Sequence, residues 1–381
     1  MNSTIIYHDA SPESLQTTYI EFNNIDFVLN VGEGRSLVQN SVRILGEVLI
    51  TTDGTTRVGT VGGDPAGGIY WDYKIGAHSF IDSCQVSFGG GSAPGIKENI
   101  QNYARWVGMT SVATENEDDL MNASKQIELK APNELCADIL ARGVVTNNTG
   151  TKVTDDMDFA FKPVCILNRM AGDHLPQERS GEIRLTVNLA RNISALMGPS
   201  STVTSTYQLK NLRCSYQSIQ TVGNPMDNQI SMRSVYNVKS SIQSSFANVQ
   251  AQVPAVCDAC SVSFQRQENE NVKIFNNYSC EKVPGIKDLQ FLFNDSTNKY
   301  ITYQINDQNE MLNRYIDSFE MTGHNQALLD TFRGNGGWGV GLHFQGFVDL
   351  SNQRFSVQLS SDVVNTAPMN IYLYFHSVVT V

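Results

Sequence analysis

Positive charge is scarce in this sequence. Lysine and arginine together number 27 against 38 aspartates and glutamates, for a formal net charge of −11. A protein that binds nucleic acid through its phosphates needs clustered Lys and Arg. No such cluster is visible, and the first 40 residues hold one basic residue, Arg35, beside Asp9, Glu13, Glu21, Asp26 and Glu33. The sequence therefore disfavours direct binding of nucleic acid.

Charge of either sign is low, at 17% of the chain. A typical soluble protein has about 25% charged residues, so much of this surface must consist of Asn, Gln, Ser, Thr and backbone. Such a surface loses little hydration energy when another subunit covers it. The composition therefore favours a protein that assembles.

Long apolar runs are missing and cysteines are few. No stretch approaches the roughly 18 apolar residues of a membrane-spanning helix, and the N-terminus lacks a signal-peptide pattern. The seven cysteines are odd in number and irregularly spaced, which favours free thiols in a reducing compartment over a disulfide framework. We therefore expect a product made inside the cell that spans no membrane.

Catalytic motifs are absent too. The six histidines are scattered, and none has a partner at motif spacing. His376, beside Tyr374 in a predicted strand, and His78, in the turn Gly76–Phe80, are interpreted as structural, with catalysis as the alternative. No Gly-x-Ser-x-Gly motif accompanies either histidine. We predict no catalytic, cofactor-binding or metal-binding residue and no cofactor.

Three short motifs invite a functional interpretation. Cys257 and Cys260 form a Cys-x-x-Cys motif, but a structural zinc site needs a second pair, and Cys280 stands alone. The glycine run Gly334–Gly341 lacks the Lys-Ser/Thr of a phosphate loop and precedes a strand, which indicates a tight turn or a close backbone approach. Two acidic pairs, Asp118-Asp119 and Asp155-Asp156, lack calcium-loop spacing and are interpreted as solvated charges.

Period-two alternation of apolar and polar residues is abundant, as in Ile183–Leu189. This pattern is typical of antiparallel strands with one face on a core. The predicted strands are Ser41–Ile50, Asp158–Leu167, Ile183–Leu189, Leu212–Gln217, Val262–Gln265, Asp288–Phe293, Lys299–Ile305, Val340–Val348, Phe355–Ser360 and Met369–Val381. Only three helices are predicted, at Glu117–Leu129, Asn306–Phe319 and Asn325–Phe332. A parallel sheet built from βαβ units is therefore disfavoured.

An internal repeat divides the chain. Cys84–Phe88 recurs as Cys260–Phe264, and each copy is followed by an irregular region, an alternating strand and a final strand. The halves separate at the Gly/Pro turn Thr221–Pro225, which predicts an N-terminal domain, 1–222, with an extended N-terminal segment, and a C-terminal domain, 223–381. About eight strands in each half predict two tandem eight-stranded antiparallel jelly rolls, all-β, with a few short helices in loops. Barrels stay open on strand count, whereas a propeller would need more and shorter repeats.

The order of segments resembles the double jelly-roll major capsid proteins of tailless icosahedral DNA viruses. That group includes virophages, polinton-like viruses, membrane-containing tailless phages and, more distantly, the adenovirus hexon. The segments that carry the likeness are Ser41–Gly46, Lys74–Phe80, Glu98–Tyr103, Asp118–Asn122, Gly181–Val187 and Met369–Ser377. The chain is shorter than many members of the group, and it lacks a basic tail that would face an internal membrane, so such a membrane is not indicated.

The resemblance implies a structural protein of the virion, made and assembled in the host cell. Three copies would form a trimer with a hexagonal outline that tiles the facets, beside separate penton and minor capsid proteins. The loops Gly89–Ala113, Asn192–Tyr207 and His324–Gly337 are predicted to supply the trimer contact and the outer surface. We expect deletion of Asn325–Gly337 to leave a folded monomer that forms no trimer.

Three alternatives stay open at this point. The first is a penton or minor capsid protein at the five-fold vertices, which would form pentamers. The second is a trimeric carbohydrate- or receptor-binding β-sandwich, for which the three tryptophans, Trp71, Trp106 and Trp338, offer few stacking surfaces. The third is a β-sandwich hydrolase, which would need a catalytic constellation that the sequence does not display.

Overall fold

The computed structural model describes residues 4–14, 16–51, 70–71, 76–89, 95–104, 157–170, 174–197, 206–223, 230–253, 255–270, 282–293, 298–304, 313–314, 317–318, 339–361 and 368–380. Within them the chain consists mainly of antiparallel strands with a few short helices, which confirms the predicted fold class. The alternation predicted for Ile183–Leu189 is present, since every second side chain of this strand is buried.

The described residues of the first half form thirteen strands. They are β1 (Ile6–Ala10), β2 (Thr18–Tyr19), β3 (Asn24–Leu29), β4 (Arg35–Leu37), β5 (Arg43–Thr51), β6 (Tyr70–Trp71), β7 (Ile81–Ser87), β8 (Ile96–Glu98), β9 (Met157–Phe161), β10 (Leu175–Pro176), β11 (Ile183–Leu189), β12 (Leu196–Met197) and β13 (Thr206–Gln220). One sheet has the order β10-β4-β13-β5-β9, with β1 and β2 also on β13, and the facing sheet has the order β3-β11-β7-β8.

In the part of the second half that the structure describes there are eight strands. They are β14 (Ser231–Ile242), β15 (Phe246–Ala251), β16 (Val256–Arg266), β17 (Ile286–Phe293), β18 (Asn298–Gln304), β19 (Gly339–Asp349), β20 (Phe355–Ser361) and β21 (Met369–Thr380). Its two four-stranded sheets have the orders β14-β21-β16-β19 and β15-β20-β17-β18. Short helices lie at Gly76–Phe80, Ile166–Asn168, Gln177–Ser180, Asn192–Ala195 and Gln267–Asn269, and residues 100–104 are helical.

The two halves repeat one topology. If β1, β3, β5, β7, β8, β9, β11 and β13 are counted as eight main strands, the first, eighth, third and sixth form one sheet. The second, seventh, fourth and fifth form the other sheet, and the strands β14 to β21 obey the same order. Each half therefore has the jelly-roll topology. Each roll has its own buried core, and Val164 packs against both of them.

The sequence repeat is only partly a structural repeat. The strands that contain Ile183 and Phe355 are both the seventh of their rolls, and the final strands are both the eighth. The five-residue match does not relate equivalent strands, however, because Cys84 lies in the fourth strand of its roll and Cys260 in the third. A short alternating segment with a cysteine and a phenylalanine fits any strand that faces a core, so the match carries no topological information.

Two other predictions need correction. The strand predicted at Asp158–Leu167 ends at Phe161, because Pro163 has no N–H for a ladder and a 3-10 turn follows at Ile166–Asn168. The predicted loop Gly89–Ala113 contains β8 and helical residues 100–104.

The predicted loop Asn192–Tyr207 begins with a helical turn and ends in β13. There the buried Tyr207 hydroxyl donates to the carbonyl of Ala190. The role of these segments in a trimer contact stays a prediction.

The domain boundary at residues 222 and 223 also stays a prediction. The last strand of the first roll ends at Gln220 and the first strand of the second begins at Ser231. Several other predictions lie outside the described residues, namely the helices Glu117–Leu129 and Asn325–Phe332, the loop His324–Gly337 and the pairs Asp118-Asp119 and Asp155-Asp156. Of the predicted helix Asn306–Phe319, residues 313–314 and 317–318 are described, and they are helical.

Candidate functional site at the junction of the two rolls

The carboxylate of Glu98 is the centre of the contact between the rolls. Glu98 ends β8 of the first roll and is 3% exposed. Its Oε2 accepts the backbone N–H of Ile166 at 2.7 Å, and its Oε1 forms a salt bridge with Arg169. Oε1 also accepts the backbone N–H of Val235 at 2.9 Å and the hydroxyl of Ser234 at 3.2 Å, both from the second roll. One buried carboxylate therefore joins three separate parts of the chain.

Arg169 is positioned by the 3-10 turn Ile166–Asn168, which it follows directly. Its guanidinium carbon lies 5.0 Å from the ring centroid of Tyr103, a cation–π distance. Burial by itself lowers the pKa of Arg169, but the Glu98 carboxylate and the Tyr103 hydroxyl outweigh that effect, so the pKa lies above its usual value. Within the described chain, Nε and Nη1 of Arg169 have no hydrogen-bond partner. The pair with Glu98 is therefore the main compensation for this buried cation.

Strand β14 supplies the other side of the junction. The backbone N–H of Arg233 donates to the carbonyl of Arg169 at 3.0 Å, and Met232 forms a bridge with Met170. The side chain of Arg233 forms a salt bridge with Asp258, whose side chain is 1% exposed. Asp258 is thus a second buried acid at the junction, and it holds Arg233, which precedes Ser234 and Val235 in β14.

Aromatic residues complete the junction. Tyr103, from the helical segment after β8, belongs to the core of the second roll, and its ring centroid lies 6.2 Å from that of Tyr374. The Tyr374 hydroxyl donates to the carbonyl of Asn102 at 3.3 Å. At Tyr374 the outward face of the sheet that contains β21 is therefore covered by the first roll. The residues of β21 from Met369 to Ser377 are all buried, so both faces of this part of the strand are covered.

This arrangement is a fixed joint. Removal of one partner from a buried, hydrogen-bonded ion pair leaves an uncompensated charge and costs about 3–5 kcal/mol. Sliding one roll against the other would keep this pair, which lies within the first roll, but would take from Glu98 its hydrogen bonds with Val235 and Ser234. Each hydrogen bond to a buried charge is worth about 1.5–3 kcal/mol. The joint therefore holds the two rolls in one relative orientation.

The histidines singled out in the sequence are buried. His78 is 1% exposed, accepts the backbone N–H of Val164 at 3.2 Å and meets Phe161 edge to face at 4.7 Å. His376 Nε2 lies 3.0 Å from Ser261 Oγ, which lies 2.9 Å from Ser318 Oγ. A serine–histidine pair at this distance can activate a nucleophile, but both residues are buried away from substrate.

Cys257 and Cys260 are free, buried thiols in β16. Cys84, Cys165 and Cys214 are also free and buried, in the core of the first roll. Burial raises the pKa of both Cys257 and Cys165 to about 12. Buried thiols with a raised pKa are unreactive, because the thiolate is the reactive form. Among the described residues, no three His, Cys, Asp or Glu side chains form a cluster that could hold a metal ion. No helix in the described ranges is long and apolar enough to cross a membrane.

The end of the glycine run makes a close backbone approach, as predicted. A Cβ on Gly341 would lie 2.0 Å from Ser318 Oγ and 3.1 Å from the carbonyl of Arg314. The helical residues 317–318 thus rest on β19 at a position where a side chain would not fit.

The sequence alone did not single out Glu98 or Arg169. Glu98 belongs to a segment that carries the family likeness, but there it was only part of a pattern. No local signal marked Glu98, because its direct neighbours, Lys97 and Asn99, are polar. Arg169 lies 71 residues further along the chain, and no local pattern connects the two.

No protein-family model matches the chain, and no curated protein sequence matches it. Solved structures do match. The Faustovirus major capsid protein superposes with a TM-score of 0.63 at 7% identity, over 100% of this chain and 90% of that one. VP54 of PBCV-1, fitted into a reconstruction of the virophage Sputnik, gives 0.60 at 11% identity over 100% and 95%. The mavirus major capsid protein gives 0.51 at 9% identity over 98% and 86%.

At these identities the comparison establishes the fold. The superposition covers both rolls of this chain, and the strand order repeats between the rolls. The chain has the double jelly-roll fold of these viral major capsid proteins.

Proposed function

We propose that this chain is a structural capsid protein of an icosahedral virus, and that its copies self-associate to form the shell. The observation that carries the proposal is the full-length match to three major capsid proteins, which includes both rolls and not one alone. Two jelly rolls locked at the Glu98 junction give a rigid block that can be repeated without distortion.

The composition supports lateral assembly. Permanent protein interfaces bury on the order of 2,000–5,000 Å². Only 17% of the residues of the chain are charged, so a polar surface with few full charges can be covered at low desolvation cost. The net charge of −11 supports a role in the shell over direct packaging of nucleic acid.

The finer assignment is a homotrimer of pseudo-hexagonal outline that tiles the facets, with separate penton and minor capsid proteins at other positions. In this proposal the protein has no enzymatic activity and no cofactor. It is synthesised in the host-cell interior, where its free cysteines stay reduced, and functions in the virion.

The test is the mass of the purified chain by light scattering on a sizing column. A stable species near three times 42.1 kDa supports the trimeric block, and negative-stain images should then show hexagonal particles. A pentamer would assign the chain to the five-fold vertices. A monomer at every concentration would contradict both capsid roles and favour a sandwich that binds a receptor or acts as a hydrolase.

A further inference from the structure

The N-terminal part of the first roll has an unusual concentration of exposed apolar side chains. Ten large apolar side chains are exposed among the described residues, and five of them lie within the first 22 positions. These five are Ile5, Ile6, Tyr7, Ile20 and Phe22. Exposed apolar groups that cluster in this way mark contact surfaces, whereas single ones are ordinary.

These residues follow one edge of a sheet. Strand β13 pairs with β5 through residues that include Leu209 and Cys214, and the same two residues pair with β2 and β1. Because a strand has only two sides, β1 and β2 both lie on the side opposite β5. Within the described ranges no further strand pairs with β1 or β2. Their outer side therefore presents backbone donors and acceptors that another strand could use.

A strained corner ends this edge. In the turn Ile20–Asn23, Phe22 has a φ of 66°, which is sterically unfavourable for a bulky residue. The turn is nevertheless well supported. The N–H of Asn23 donates to the carbonyl of Ile20, the N–H of Phe22 donates to the carbonyl of Leu189, and Glu21 accepts the N–H of Asn192 at 2.8 Å.

The ring of Phe22 contributes little to the fold that holds it. It is 68% exposed, so the protomer accepts backbone strain and a solvated aromatic ring at the same position. Strain that the surrounding structure maintains is characteristic of positions with a function. A rigid apolar side chain at a corner can act as an anchor, because little entropy is lost when it is buried.

We propose that β1, β2 and the corner Ile20–Asn23, together the N-terminal edge, form a contact surface for a second copy of this chain. The inference rests on the proposed function and deepens it, since it assigns residues to the contact between copies.

Charge supports a second copy over a membrane as the occupant. Membrane surfaces attract Lys and Arg beside apolar residues. The N-terminal edge instead carries Asp9, and Glu13 lies in the connection between β1 and β2; these acids pair with Arg213 and Arg184 at 3.9 and 2.9 Å. The acids and bases thus balance each other locally, which suits contact with another copy of the same mixed surface.

The experiment compares Phe22→Asn with a matched control, Phe246→Thr. Asparagine tolerates a positive φ, so Phe22→Asn removes the ring without adding strain. Phe246 is 56% exposed in β15, far from the N-terminal edge in sequence, and threonine suits a strand. Light scattering over a concentration series gives the midpoint of self-association, and thermal melting of dilute protein reports folding.

We expect Phe22→Asn to raise the midpoint concentration at least about tenfold, as loss of an aromatic anchor does, with an unchanged or higher Tm. Phe246→Thr should behave like wild type. Equal assembly of wild type and Phe22→Asn would overturn this inference and leave the proposed function intact, whereas a wild type that never associates would overturn both.

Two further outcomes also decide the matter. Weak assembly of Phe22→Asn together with a lowered Tm would assign Phe22 to folding. In that case Tyr7→Thr decides: weaker assembly at an unchanged Tm would still support the contact surface, and unchanged assembly would overturn it. Binding of wild type to neutral phosphatidylcholine vesicles that Phe22→Asn loses, with self-association unchanged, would replace the second copy by a membrane.

Discussion

The Oε1 atom of Glu98 in the first roll lies 2.9 Å from the backbone nitrogen of Val235 in the second, and accepts its hydrogen bond. The same oxygen forms the salt bridge with Arg169. A single atom therefore couples the charge balance of one roll to the position of a strand in the other.

Glu98→Gln should destabilise the protein by about 3–5 kcal/mol, because Arg169 would remain as a buried, unpaired cation. Urea unfolding followed by circular dichroism measures the loss. The control is Glu13→Gln, which breaks the exposed pair with Arg184 and should cost less than about 1 kcal/mol. Equal effects of the two substitutions would contradict the assignment of Glu98 to the joint.

The variant that combines Glu98→Gln with Arg169→Met should lose less free energy of unfolding than the sum of the two single substitutions. Removing both charges leaves neither uncompensated, and methionine fills much of the arginine volume. A double-mutant cycle from denaturation curves should give a coupling of roughly 0.5–3 kcal/mol. Additive losses would mean that the two side chains do not interact in solution.

Gly341→Ala should destabilise the second roll by about 1–3 kcal/mol through overpacking. The new Cβ would lie 2.0 Å from Ser318 Oγ and 2.5 Å from Ser318 Cβ. Addition of Ser318→Gly should recover part of the loss, since it removes both contacts. Thermal melting measures the two variants, and a neutral Gly341→Ala would place residues 317–318 away from β19.

Stability should fall in alkali because of the buried thiols. Burial raises the pKa of Cys165 from 9.0 to about 12, so the folded state retains a proton that the unfolded state loses between these values. This contribution is complete below pH 9 and is lost as the pH approaches 12, at up to about 1.4 kcal/mol per pH unit.

The measurement is urea unfolding of wild type and Cys165→Ala at pH 7, 8.5 and 10. The fall in the free energy of unfolding between pH 8.5 and pH 10 should be shallower in Cys165→Ala. The same slope in both proteins would show that this thiol does not contribute.

Strands with one solvated face have the clearest sequence pattern, although β21, which is buried on both faces, was also predicted, as Met369–Val381. Ile183–Leu189 alternates because only one of its faces meets the core. In β16 nearly every residue is buried, and only its part Val262–Gln265 was predicted as a strand. The first roll and residues 317–318 cover the outward face of that sheet, and this removes the need for polar residues there.

Other elements escaped prediction for different reasons. β3 alternates well, with Ile25, Phe27 and Leu29 buried, and a stricter search for period two would have found it. β14 is rich in serine and charged residues and contacts the first roll along part of its length, so its burial does not follow from hydrophobicity. β8 has three residues, too few for any periodic signal.

The sequence by itself determined the all-β class and the acidic, weakly charged composition, because alternation and composition are local properties of the chain. Only the tertiary structure decided that Glu98, Arg169 and Val235 meet, and that Phe22 is held at an exposed, strained corner. An acid, a base and a backbone amide far apart in sequence look like ordinary residues until packing removes water from between them. Burial then makes the loss of either charge costly, because its partner would be left unpaired and out of water.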